Sequence, residues 1–303
     1  MHDEPFFSVI IPTRNRPHLL AACVRSVLAQ DYPRDRYEIV AVDDGGRGGP
    51  PRALAPLLDS GPVRYLQQER RGWGQARLLG VRNSRGELLA FIDDDCVAVA
   101  EWLSCYGSAY AAHPEASGVG GGLRPGPRMN VAGRRQYLGH LARFNRLNQP
   151  LGTQVERAGW AWFTFGGNRS FRRDTWLAAQ AVGVPSWYYD DYLIDLNLRE
   201  MGARVYYEPA AWVAHHYVLG VGQRICAAYR YGRSEARVGP SVVVAERGGA
   251  IAASPVSRWR KLCEETPGFA FCARAWYAAT QPPVWLARHI GQLSGTCKAG
   301  ETL

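Results

Sequence analysis

Leu88-Leu89-Ala90-Phe91-Ile92 runs straight into Asp93-Asp94-Asp95. Five apolar residues followed at once by three carboxylates read as a strand buried on both faces, ending at a charged edge. The pattern recurs upstream. Phe7-Ser8-Val9-Ile10-Ile11 leads to Pro12-Thr13-Arg14-Asn15, and Tyr37-Glu38-Ile39-Val40-Ala41-Val42 leads to Asp43-Asp44-Gly45. Val63-Arg64-Tyr65-Leu66 is a further short strand. Between these runs, Leu19, Leu20, Cys23, Val24, Val27 and Leu28 lie on one face at helical spacing, with Thr13 placed to cap that helix. Residues 73–84 and 101–112 also read as helices. Strands alternating with helices predict an α/β fold with a mostly parallel central sheet flanked by helices. Ligands of such sheets bind beyond the carboxyl ends of the strands, where all three polar clusters should converge.

The second half is less regular. Residues 118–128, rich in Gly and Pro, read as a loop or strand border, and 134–147 as a helix. Trp160, Trp162, Phe163 and Phe165 alternate as in a strand before Gly166-Gly167-Asn168. A helix is expected from Asp191 to Met201, with Gly202 as its stop. Val205-Tyr206-Tyr207 and Trp212-Val213-Ala214 read as two short strands, the second ending at His215-His216. Helices are expected from 217 on. The expected organisation is a nucleotide-binding half over 1–123, an acceptor-binding half of the same domain over 124–217, and a helical C-terminal extension over 218–303.

The 303 residues are 47% hydrophobic and 21% charged, an ordinary globular composition that excludes disordered and fibrous classes. No apolar run is long enough for a membrane span, and the N-terminus lacks a secretory pattern. Seven scattered cysteines without a Cys-x-x-Cys argue for reduced thiols and against a zinc ribbon. A cytoplasmic location is therefore expected. The net charge of +9 is uneven. Residues 124–173 carry 10 basic side chains and 1 acidic one, and 217–303 carry 11 and 5. Residues 1–123 and 174–216 are net acidic. Alternating charge of this kind suits a cation-dependent site for an anionic ligand better than a uniform nucleic-acid surface.

Three adjacent carboxylates repel one another unless a cation sits among them, so Asp93, Asp94 and Asp95 suggest Mg²⁺ or Mn²⁺, or else a solvated acidic loop. Asp43 or Asp44 could accept from a nucleobase N–H or a ribose hydroxyl, or simply end a strand in a turn. His215 or His216 could complete an octahedral shell. Asp190 and Asp191 open a helix, where the dipole alone favours carboxylates, yet either could take a proton from an acceptor. Arg77 is placed to pair with a diphosphate. Trp160 and Trp162 are candidates for lining an acceptor pocket.

The order of these motifs resembles the family 2 glycosyltransferases of GT-A fold. It rests on Ser8 to Arg16, Ile39 to Gly45 and Gly86 to Asp95, then Gly166 to Arg172, Asp190-Asp191 with Leu196, Arg199, Gly202 and Pro209, and His215. The resemblance spans roughly residues 6–217. It implies inverting transfer from a nucleoside-diphosphate sugar with a Mn²⁺ or Mg²⁺ cofactor. Pro12, Thr13 and Arg14 would border the base. Asp43 or Asp44 would bind base or ribose, and Arg77 would sit near base or diphosphate. Asp93 and Asp94 would contact ribose and metal. Asp95, with His215 or His216, would ligate the metal, and Asp191 or Asp190 would be the general base. Gly46 stands where the family usually carries a small hydroxyl residue. UDP is the expected donor carrier, with GDP and dTDP as alternatives, and a small-molecule natural product or glycoconjugate is the expected acceptor. The basic tail reads first as solvated surface, with contact to an acidic acceptor or the inner membrane face as the alternative. Two other classes compete: a basic RNA- or membrane-binding module on an inactive scaffold, and, less favoured, a sugar nucleotidyltransferase. The latter would need a Gly-rich loop where Pro12-Thr13-Arg14-Asn15 stands. Nucleic acid is not expected as a partner.

Overall fold

A computed structural model describes residues 4–46, 48–58, 61–127, 129–181 and 190–216. The chain divides into two compact units, 1–129 with 134–217, and 130–133 with 218–303. The described residues belong almost wholly to the first, and the helical extension expected over 218–303 lies outside them. In chain order the elements are β1 (Phe7–Thr13), α1 (Pro17–Leu28), β2 (Tyr37–Asp44), α2 (Ala55–Leu58), β3 (Val63–Gln68), α3 (Trp73–Arg82), β4 (Leu88–Ile92) and β5 (Cys96–Ala98). There follow α4 (Trp102–Ala112), β6 (Gly118–Pro125), α5 (Val131–Asn148), β7 (Gly159–Ala161), β8 (Asn168–Arg172), α6 (Arg173–Ala181), α7 (Asp190–Glu200) and β9 (Val205–His215).

The strands form one sheet in the order β3-β2-β1-β4-β8-β6-β9-β5, with β7 on β9. From β3 to β4 every pairing is parallel, as the sequence predicts. Beyond β4 the sheet is mixed: β8 runs antiparallel to β4 and β6, and β5 and β7 run antiparallel to β9. β6 crosses the expected 123/124 boundary, so both halves share one sheet. Successive residues of β1 point to opposite faces. Phe7, Val9 and Ile11 pack with Leu20, Cys23, Val24 and Val27 of α1 and with Trp102, Leu103 and Tyr106 of α4. Ile10 packs with Ala76 and Val81 of α3, Trp176 of α6, and Ile194 and Leu198 of α7. Two helical layers therefore cover a sheet whose strands read as unbroken apolar runs because both faces are buried.

Four local readings change. α1 begins at Pro17, with Arg16 as its N-cap and no side-chain cap. Proline at the first helical position fixes the start, and the Thr13 hydroxyl turns instead to Asp94. The segment read as a loop over 118–128 contains an interior strand, β6. A Cβ on Gly118 would lie 2.6 Å from a Phe171 ring carbon, and one on Gly122 would lie 2.6 Å from the Pro209 carbonyl. The glycines mark close approach of neighbouring strands, not a turn. The two short strands expected over 205–214 are one strand with a register shift opposite Gly121 and Leu123. The aromatic run at 160–165 is strand only through Ala161.

Buried Asn168 ties these layers together. Its Oδ1 accepts from Trp102 Nε1 and the Tyr106 hydroxyl, and its Nδ2 donates to the Gly122 and Ala211 carbonyls. A Cβ on Gly121 would collide with that Asn168 amide and the Ala211 carbonyl. Gly121→Ala is therefore expected to cost about 2 kcal/mol by overpacking, read as a lower urea midpoint at unchanged slope. No helix among the described residues is long and apolar enough to cross a membrane.

Candidate active site

The carboxyl ends of β1, β2 and β4 meet as the pattern predicts. Thr13 stands in register with Asp43, and its hydroxyl donates to Asp94 Oδ2 at 2.7 Å. Arg16 Nη1 donates to Asp94 Oδ1 at 2.9 Å and to Asp95 Oδ2 at 2.8 Å. Asp93 accepts from Arg77 Nη2 at 3.1 Å. Arginines thus contact all three carboxylates. Asp94 is 2% exposed. Burial, with Asp95 adding to it, pushes its carboxyl up to about 7, while Arg16 and Thr13 pull the other way.

β5 and β9 pair Cys96 with His215 and so bring the histidine beside the triplet. His215 Nε2 lies 3.4 Å from Asp95 Oδ1, the carboxylate oxygen that Arg16 does not touch. Cis ligands on an octahedral cation with bonds of about 2.1 Å lie roughly 3 Å apart, so this pair fits such an ion after a small adjustment. Cys96 also has its sulfur within 4.8 Å of these donor atoms. Its sulfur is a soft donor, a poor match for a hard cation such as Mg²⁺ or Mn²⁺. The donors suited to a hard cation are then one carboxylate and one imidazole, which leaves positions for phosphate oxygens and water. His216 meets Asp95 through its backbone N–H, 2.8 Å from the Asp95 carbonyl.

Asp43 and Asp44 separate in their surroundings. Asp44 takes hydrogen bonds from Gln68 Nε2 and the backbone N–H groups of Arg71 and Gly72. It ties down the turn that opens α3. Asp43 accepts from the Tyr65 hydroxyl at 2.6 Å and from the Gly46 N–H at 3.1 Å. A Cβ on Gly46 would overlap the Asp43 carboxyl, so the absent side chain is what lets Asp43 fold onto this turn. Pro12 is buried within β1. Arg14 Nε is buried with no hydrogen-bond partner among the described residues.

Asp191 reaches this edge from the first turn of α7. A Cβ on Gly166 would lie 2.8 Å from Asp191 Cβ, and one on Gly167 would lie 2.8 Å from Asp93 Cγ. Consecutive glycines thus leave room for Asp191 and for Asp93, and Arg77, which pairs with Asp93, also acts on the Asp191 carboxyl. Burial raises the Asp191 carboxyl, but Arg143, Arg169, Arg77 and the Tyr192 N–H outweigh it and hold the carboxyl below its ordinary value. Asp191 is therefore ionised at neutral pH. The side chain of Asp190 lies outside the described residues.

Beneath Asp191, Arg169 is 1% exposed. Its Nη1 donates to the Asp191 carbonyl and to Asp195 Oδ1, each at 3.1 Å. Asp195 Oδ2 accepts from the Thr164 N–H. Burial pushes Asp195 up to about 7 against the pull of Arg169. Arg169→Leu strands a buried carboxylate and is expected to cost about 3–5 kcal/mol. Thermal unfolding of Arg169→Leu and of Arg169→Leu/Asp195→Leu checks this, with the double variant expected to regain most of the loss.

The two candidate acceptor tryptophans lie apart from the acidic cluster. Trp160 pairs with Tyr206 at the start of β9, whereas His215 ends that strand. The β6 partners of Tyr206 and His215, Val119 and Pro125, are six positions apart, which is about 20 Å of strand. Trp160 packs there against His113 and Tyr206, under the Arg204 guanidinium. Trp162 lies under Arg199, two turns along α7 from Asp191. Neither tryptophan joins the acidic cluster. α5 contributes groups that strand-end motifs do not reveal. Burial, with Arg143 and His215 nearby, lowers His140 to about 4, so its imidazole is neutral, while Asp191 and Asp93 act the other way. Arg143 also lies 5.4 Å over the Tyr192 ring, which stacks on Phe163. The one sequence signal for these residues is the excess of basic side chains over 124–173.

Comparison with known proteins places the chain by family and fold. Glycosyltransferase AglE of Haloferax volcanii is 35% identical over 33% of this chain and 33% of its own length. This chain therefore spans about a third of that relative. A glucosyl-dolichyl phosphate glucuronosyltransferase of the same organism is 27% identical over 69% of this chain and 68% of its own. The mannosyltransferase PcManGT of Pyrobaculum calidifontis, solved with GDP-Man and Mn²⁺, has the same fold. It superposes with a TM-score of 0.57 at 18% identity, over 98% of this chain and 87% of its own. The sequence pattern described as Glycosyl transferase family 2 matches residues 8–176. The match runs from β1 into α6 and takes in the triplet and both glycines, so the chain belongs to glycosyl transferase family 2.

Proposed function

We propose that the protein transfers a sugar from a nucleoside-diphosphate sugar to an acceptor hydroxyl, with inversion and with the help of a divalent cation. The observation that carries this reading is the seating of Asp191 and Asp93 on consecutive glycines. With Arg77 acting on both side chains, this supports a carboxylate able to take a proton near the carboxylates that would bind the donor. Asp95 and His215 would hold Mn²⁺ or Mg²⁺, which when bound supplies positive charge to the departing diphosphate. The GDP-Man and Mn²⁺ bound by PcManGT support this choice of donor class and ion.

Asp191 takes the acceptor proton as the acceptor oxygen attacks the anomeric carbon. A single base facing the leaving group gives direct displacement, hence inversion. Arg77, held by Asp93, stands ready for the charge that grows on the diphosphate. Asp43 is the proposed partner of base or ribose, because Asp44 is already saturated by its turn. Arg14, with its buried Nε, and Pro12 and Thr13 border the same space. UDP is favoured as the carrier, with GDP and dTDP as the other candidates. The acceptor is proposed as a small molecule or glycoconjugate, and the +6 charge of residues 217–303 supports contact with an anionic membrane face.

Incubation with UDP-, GDP- and dTDP-sugars and a mixed acceptor pool tests this. Nucleoside diphosphate should be released from one donor class with Mn²⁺ or Mg²⁺ and not with EDTA. Release from none, or equal release in EDTA, overturns the reading.

A further inference from the structure

The side chain that touches two of the three carboxylates is Arg16. Its Nη1 sits 2.9 Å from Asp94 and 2.8 Å from Asp95. Arg77 holds the third, Asp93. Three carboxylates thus face two guanidinium groups, which offset much of the triplet's negative charge. Asp94 is sealed in by Thr13 and is 2% exposed, whereas the Arg16 side chain is 41% exposed. The guanidinium is thus anchored to a rigid pair from the solvent side, on the N-cap residue of α1.

We propose that Arg16 is a built-in counter-cation that keeps Asp94 and Asp95 from holding a divalent ion on their own, so that ion binding waits for the diphosphate of the donor. The inference rests on the proposed ion site at Asp95 and His215. A divalent ion approaching Asp95 Oδ1 meets a guanidinium already on Oδ2 of the same carboxylate, which weakens its attraction to the pair. A bound diphosphate restores the missing negative charge. Each ligand then improves the affinity of the other by the same factor. Arg16 also fixes Asp95 so that Oδ1 faces His215, which keeps the site shaped while weakening it.

The test is direct titration of the whole protein with Mn²⁺, read by loss of the free-ion electron paramagnetic resonance signal, with and without UDP or GDP. Wild type should bind Mn²⁺ weakly alone and much more tightly with a nucleoside diphosphate. Arg16→Gln should tighten binding of Mn²⁺ alone by about ten-fold and shrink the gain from nucleotide. Arg16→Lys, which keeps the charge, should behave as wild type. If Arg16→Gln binds Mn²⁺ alone no more tightly while wild type still shows the nucleotide-driven gain, the counter-cation role is wrong and the ion site stands. If wild type binds no Mn²⁺ even with nucleotide, the ion site itself fails, and this inference with it.

Discussion

Asp191→Asn should lower kcat by about 10³-fold while leaving nucleotide affinity within a few-fold. The substitution removes a proton acceptor and keeps the shape. The side chain rests on Gly166, and Asn occupies the same volume there. The carboxylate is ionised because Arg143, Arg169 and Arg77 together overcome the cost of burying it. The variant therefore gains no protonated acid to fill the role. The hydrogen bonds fixing the start of α7 run from Arg169 to the Asp191 carbonyl and to Asp195, so they survive the change. Steady-state transfer paired with calorimetric nucleotide binding separates the two effects. Unchanged turnover would transfer the role to Asp190.

Asp95→Ala should abolish the contribution of Mn²⁺ to nucleotide binding, a loss of at least about 100-fold, beyond that seen on removing a group that merely supports a ligand. Asp95 presents one oxygen to Arg16 and the other to His215. Removing it leaves a lone imidazole, which holds a hard cation poorly. Stability should change little, because Arg16 retains Asp94 and the backbone bond from the His216 N–H to the Asp95 carbonyl remains. Unchanged Mn²⁺-dependent affinity would move the ion site elsewhere.

Much of this arrangement is legible in local sequence because its signals are local. β1, β2 and β4 are buried on both faces, so each appears as a continuous apolar run, and each run ends at the polar residues that line the site. α1 shows its apolar face at helical spacing. The second half is written in longer-range terms. β6 looks like a loop because Gly118 and Gly122 make room for strands far away in the chain. β8 inserts between β4 and β6, and its key residue, Asn168, is a polar group buried by partners on three other elements. Trp160 and Trp162 carry an aromatic signal that does not distinguish packing from ligand stacking, and both pack under arginines. Arg16 is read simply as part of a strand-end motif, yet its position between Asp94 and Asp95 is set by the turn leading into Pro17. His140 and Arg143 come from a basic helix whose partners lie some 50 residues or more away on both sides, so no spacing rule connects them to the triplet.

The central claim is that the Asp93–Asp95 edge, with His215, binds the carrier of an activated sugar together with a divalent ion. Calorimetric titration of UDP, GDP and dTDP into the full chain, with Mn²⁺ and again with EDTA, tests it most directly. The account predicts that one of the three binds in Mn²⁺ and that EDTA removes most of that affinity. A folded protein that binds none of them, or binds one equally well in EDTA, would contradict it.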